Sequence, residues 1–178
     1  MREEAMRFMQ RALEDWSRSL PVPRDLAILT RLNAFDALAR NALVLGIPVE
    51  CLESDEGVSP FTLQGPQQLT DGTSQNFPAH LSPTALQQTV KHHPWLDLFP
   101  IPRMRDNILQ GIQKGRLDAG ELCDEFVCDL VNLEAGSAAS LIIWGDSWEM
   151  GKWEFNPEVF RKWGALLQGC GEVLQATN

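Results

Sequence analysis

The stretch His92–Asn107, HHPWLDLFPIPRMRDN, sets two imidazoles, one indole, two carboxylates and two guanidiniums among three prolines. Pro94, Pro100 and Pro102 each fix their own φ and push the preceding residue toward extended geometry, so the segment cannot be a single helix. It reads as a stiff, irregular crossing whose side chains are aimed. Pro102 suits the first position of a helix that uses Met104, Ile108, Leu109 and Ile112 and stops at Gly115.

Working outward, the neighbouring segments read as helices. Asp25 to Leu45 carries a broad apolar stripe and ends at Gly46 with Pro48 beyond, which marks a C-terminus and predicts a central helix buried on more than one side. Residues 2–19 place Met6, Met9, Leu13 and Trp16 at three- and four-residue steps, the pattern of an amphipathic helix closed by Pro21 and Pro23. From 51 to 80 periodicity vanishes among Gly, Pro, Ser and Gln, which reads as a long loop, either a lid or an insertion. Ser82 with Pro83 predicts a helix start, Asp118 with Glu121 a capping box, and Asn156 with Pro157 another start. Leu141–Trp144 is a short apolar run that suits a strand or an extended core segment.

These elements predict one all-α domain spanning 1–178, a layered bundle of about six helices with one long loop and at most a short strand. The 44% apolar and 22% charged content supports a packed core rather than disorder. A net charge of −9, from 15 basic and 24 acidic residues scattered along the chain, opposes direct binding to nucleic acid. No apolar run reaches membrane-spanning length and no leader pattern opens the chain, so the expectation is no membrane and a cytoplasmic or nuclear location. The spacing of Cys51, Cys123, Cys128 and Cys170 suits neither zinc nor a redox CxxC motif, and no metal or cofactor is expected; Cys123 and Cys128, five apart, fall on different faces of an α-helix.

Some of these residues resemble a known family. HHPWLDLFPIPRMRDNIL, ELCDEF, LIIWGDSWEMGKWEF and FRKWGALLQGCGEVLQATN are similar to DUF3425, a domain of unknown function found after the basic leucine zipper in many fungal transcription factors. The resemblance runs from about Pro23 to Asn178 and implies a fungal origin and a mostly helical fold. Residues 1–19 carry neither the basic helix nor the leucine heptads of such factors, so the chain is expected to act through partners or to have taken another task, such as a step of specialised metabolism.

Two chemistries compete for the motif residues. In one, His93 oriented by Asp97, with His92 beside it, moves a proton for an isomerase, cyclase or dehydratase. Arg105 or Arg103 then steadies developing negative charge, Asp146 donates or pairs, and Trp95, Trp144, Trp148 and Trp153 wall in an apolar small-molecule substrate. In the other, the imidazoles cap and tie helices, the arginines pair with Asp97, Asp106 or Asp146, and the tryptophans are core. The chain would then be a transcriptional regulator without DNA-binding parts that binds a bZIP-type protein partner, forms a homodimer or senses a metabolite. Gly145-Asp146-Ser147 is not a serine esterase motif, because no histidine follows His93 to activate the serine.

Overall fold

Residues 23–62, 77–128, 130 and 140–171 are described by a computed structural model, and all structural statements concern them. The predicted helix at 2–19 and the last turn from Glu172 lie outside these residues, as do residues 63–76 of the 51–80 stretch. The domain is mostly helical, with six α-helices and one two-stranded sheet among the described residues.

Helix α1, Pro23–Leu45, buries Ala34, Ala37, Leu38, Ala42 and Leu45 along one side. It ends as its sequence predicts. Gly46 takes a φ of 66°, and the Ile47 amide donates to the Ala42 carbonyl at 2.9 Å, the reversal that only glycine makes without strain. The expectation of burial on several sides fails: Leu29, Phe35, Leu43 and Val44 face outward, with Leu43 80% exposed. Helix α2, Val49–Glu53, replaces the start of the predicted loop. The rest of that stretch is tied down at both described ends. The Ser59 amide donates to the His92 carbonyl at 2.8 Å, and Phe61 meets Phe77 edge-on at 5.5 Å.

Helix α3, Ala85–Thr89, starts two residues later than Ser82 predicts. Thr84 is its cap, because Thr84 and Gln87 bond each other's backbone reciprocally, whereas the Ser82 hydroxyl turns back to the Pro78 carbonyl. The bend follows as a 3-10 turn, Pro94–Leu98, and helix α4, Pro102–Gln113, opens on proline and closes before Gly115, φ 62°. Asp118 caps helix α5, Ala119–Cys123, which runs on as a π-helical turn over Asp124–Cys128.

Strand β1, Leu141–Ile143, pairs antiparallel with β2, Trp153–Phe155, in the register Leu141↔Phe155 and Ile143↔Trp153. The second strand was not expected, because a three-residue strand inside a turn-rich stretch leaves almost no periodic signal. Asn33 of α1 serves as a surrogate strand edge. Its side chain accepts from the Ile143 amide at 2.9 Å and donates to the Ile143 carbonyl at 3.0 Å. Asn156 caps helix α6, Pro157–Trp163, and a 3-10 turn, Gly164–Leu167, follows before Gly169. No described helix is long and apolar enough to cross a membrane.

The core centres on Phe99, fully buried in the bend. Its ring meets Trp95 at 5.9 Å, Phe126 of the π turn at 6.0 Å and Trp153 of β2 at 5.5 Å. Asn41 of α1 fastens the same junction, donating to the Leu98 carbonyl at 2.8 Å and the Ser147 carbonyl at 2.9 Å. The proline bend and the tryptophan-rich turn therefore meet in packed contact. Asn41→Ala takes the side-chain donor from the Leu98 carbonyl and one of two donors from the Ser147 carbonyl, and is expected to lower stability by about 1–3 kcal/mol, read from the urea midpoint at unchanged slope.

Candidate functional site

The side chains of the crossing divide sharply by neighbour. His92 and Asp97 are both buried, and the His92 Nε2 lies 2.9 Å from Asp97 Oδ1. The other ring nitrogen, Nδ1, must donate, because its partner at 2.7 Å is the Val90 carbonyl. The Nε2 contact thus holds a further proton shared by imidazole and carboxyl. Gln87, buried in α3, donates its amide to the same carboxylate oxygen. Asp97 orients His92, not His93.

His93 has a different task. Its Nδ1 accepts from the Trp95 amide at 3.3 Å, which caps the 3-10 turn, so Nε2 carries the hydrogen and donates to the Ser54 carbonyl at 2.9 Å. Both nitrogens are used within the scaffold. The loop against it is close enough that a Cβ on Gly57 would stand 2.3 Å from the Cys51 carbonyl and 2.9 Å from His93 Nε2, so only glycine fits there.

Arg105 is fully buried and donates through Nη2 to the His80 carbonyl at 2.8 Å and the Ser82 carbonyl at 3.1 Å. Its Nε and Nη1, and Oδ2 of Asp97, have no hydrogen-bond partner among the described residues. Burial pushes the Arg105 guanidinium down from its ordinary value to about 10, opposed by the charges of Asp97 and Asp106. The fold thus holds this proton less tightly than the unfolded chain does. That handicap is full below about 10 and fades as the pH rises from there toward the ordinary arginine value. Arg105 makes no hydrogen bond to a carboxylate among the described residues; the charges of Asp97 and Asp106 act on it without such a contact. Asp106 itself accepts from the Thr84 hydroxyl at 2.6 Å. Asn107, not singled out from sequence, donates to the Leu166 and Gln168 carbonyls at 2.8 and 3.0 Å. Arg103 is exposed and lies against Gly169 and Cys170 at the far end of the chain, apart from the Asp97 cluster.

The tryptophans do not form one wall. Trp95 and Trp153 are core, and the Trp153 indole donates to the Ser147 carbonyl at 2.9 Å. Trp148 is half-buried against the core, while Trp144 is 68% exposed and donates to Glu154 at 2.7 Å. Asp146 is exposed in the turn, so it is not a carboxylate enclosed by indoles. Ser147 is buried, its carbonyl holding Asn41 and Trp153.

Sequence reasoning missed Gln87, His80 and Asn41. Asn41 had a readable signal, a buried-stripe position of an apolar helix filled by an amide. Gln87 and His80 had none, because their partners are set by tertiary contact: His80 gives its carbonyl to Arg105 and its Nδ1 to the Met150 amide at 3.3 Å. If Asp97 and Arg105 act as one electrostatic unit, Asp97→Asn and Arg105→Met each cost about 2–5 kcal/mol, and the double variant costs at least about 1 kcal/mol less than their sum. Chemical denaturation of the four proteins checks this, and additive losses would show the two groups to be independent.

The crossing, the first half of α4 and the Trp144–Trp148 turn carry the elements on which the resemblance rested, and the family model described as "Domain of unknown function (DUF3425)" matches residues 63–174. Comparisons with curated proteins and with solved structures find no match. Since that match spans more than half of the 178 residues, the chain belongs to the DUF3425 family.

Proposed function

We propose that this chain is a non-catalytic interaction domain of the regulatory kind, which pairs through the outward face of α1 with the same helix of a second copy. The observation that carries the reading is the apolar surface of α1, where Leu43 is 80% and Phe35 45% exposed, continued by Val49 at 59% on α2. A helix with apolar residues on both sides is normally buried all round, and an exposed row of this kind marks an interaction surface.

The row has a pattern. Leu29, Asp36 and Leu43 are spaced by seven, with Leu32 and Ala39 between, a seam about 21 Å long at 1.5 Å per residue. Near its middle Asp36 pairs with Arg40 at 2.9 Å, both side chains substantially exposed. Two such helices packed antiparallel about a two-fold axis at residue 38 would set Asp36 of each against Arg40 of the other. The charge order of the seam is thus complementary to itself.

The acid–base alternative draws less support from the geometry. His93 spends both nitrogens on backbone groups, and His92 and Asp97 are sealed under Gln87. A general base must reach a substrate proton.

Sedimentation equilibrium tests the pairing. The wild-type chain is expected to dimerise in the micromolar range, and Leu43→Glu to be a folded monomer. Asp36→Arg and Arg40→Asp should each weaken the dimer at least about tenfold, through like charges placed in contact. An equimolar mixture of those two variants should dimerise again. A wild-type monomer throughout that range, or no rescue on mixing, overturns the proposal.

A further inference from the structure

On a regular α-helix, residues five apart point in different directions, which is how the sequence places Cys123 and Cys128. The chain departs from that geometry here. Helix α5 ends at Cys123, and Asp124–Cys128 winds as a π-helical turn, whose i→i+5 hydrogen bonding brings the sixth residue back over the first. The two sulfurs lie 3.8 Å apart as a thiol–thiol contact, and neither cysteine is in a disulfide. Cys128 is exposed and Cys123 half-buried, so an oxidant in solvent meets Cys128 first.

We propose that Cys123 and Cys128 form a redox-active dithiol, which a peroxide closes to an intramolecular disulfide and a small thiol reopens. The chemistry balances in two steps. The Cys128 thiol gives up its proton and the thiolate attacks one peroxide oxygen: an S–O bond forms, the O–O bond breaks, and the departing hydroxide takes up that proton and leaves as water, giving a sulfenic acid. Cys123 sulfur then attacks the Cys128 sulfur: an S–S bond forms, the S–OH bond breaks, and the hydroxyl leaves as a second water with the Cys123 proton. The two thiols lose two electrons and the peroxide gains them.

The roles follow from the surroundings. Cys128 is the exposed sulfur and leads; Cys123, half-buried and with its thiol pushed up first by burial and then by the Cys128 sulfur, is the poorer nucleophile toward a peroxide in solvent and reacts second, with a sulfur already beside it. Closing the contact to a bond of about 2.04 Å asks the sulfurs to approach by less than the width of an atom, within reach of side-chain rotation at an exposed turn. The bond would clasp both ends of the turn that holds Phe126, whose buried ring packs on Phe99 and Phe155 at 6.0 and 6.2 Å. Oxidation would therefore fix a segment of the core junction, independently of the α1 face.

The test treats the reduced full chain with stoichiometric hydrogen peroxide, blocks free thiols with iodoacetamide, and maps the cysteines by mass spectrometry. The expected product has lost the mass of two hydrogens, with Cys123 and Cys128 unalkylated and joined in one peptide, and Cys51 and Cys170 alkylated. Dithiothreitol should restore both thiols. In Cys123→Ser the sulfenic acid is left without its resolving partner, so Cys128 should take up dimedone; in Cys128→Ser, Cys123 should stay alkylatable. The proposal is overturned if peroxide leaves both thiols alkylatable, if wild-type Cys128 takes up dimedone while Cys123 remains free, or if the disulfide joins two chains.

Discussion

The carboxylate of Asp97 is the constraint around which the rest is arranged. A buried carboxylate is costly unless donors and positive charge come to it. Here Gln87 arrives from α3 and His92 from the chain just before the bend, and the charge of the Arg105 guanidinium acts from α4 without a hydrogen bond to the carboxylate. Each partner is itself anchored: His92 to Val90, and Arg105 to the carbonyls of His80 and Ser82. Three elements and the end of the long 51–80 stretch are thereby fixed relative to one carboxyl group. The proline-stiffened crossing presents it from a backbone with little freedom to turn away.

This arrangement accounts for the density of chemistry in a few residues. In the Arg-Asp-Asn element each side chain holds a different part of the fold: Arg105 the turn before α3, Asp106 the Thr84 cap, Asn107 the carbonyls after α6. In His-His-Pro-Trp, the first histidine serves Asp97, the second caps the next turn, the proline opens it, and the indole packs on Phe99. Such residues look catalytic in a list of residue types. The same hydrogen-bonding capacity that makes imidazole and guanidinium useful to a substrate makes them effective fasteners, and only the identity of the neighbour separates the two uses.

What could be read from the sequence follows the range of the forces involved. The end of α1 at Gly46, the opening of α4 at Pro102 and the caps at Asp118 and Asn156 depend on residues within one turn of each other, so they were legible. The site was legible as a place but not as a wiring diagram. Either histidine could reach a carboxylate a few residues on, and which one does is decided by Ser54 and Gly57, nearly forty residues earlier in the chain. The π turn at Asp124–Cys128 escaped for a similar reason. Nothing in DEFVC forbids a regular helix, and the wider winding is seen only where Phe126 seats between Phe99 and Phe155.

The sequence also misled about α1, and the error is informative. Its apolar residues run round the helix, which predicts contact on several sides, yet the core takes only the side bearing Ala34, Ala37, Leu38, Ala42 and Leu45. The small alanines there let β1 approach closely enough for Asn33 to bond both polar groups of Ile143, while the larger Leu29, Phe35 and Leu43 are left outside. Ionisable groups that ordinarily favour solvent are inside this domain, and large apolar groups that ordinarily favour the core are outside. The inward set is held by hydrogen bonds from neighbouring elements, although Arg105 Nε and Nη1 and Asp97 Oδ2 have no such partner among the described residues. The outward set gains nothing from water, so hydrophobic free energy remains to be released when it is covered. An exposed seam that carries its own complementary charges offers a way to release it without opening the core.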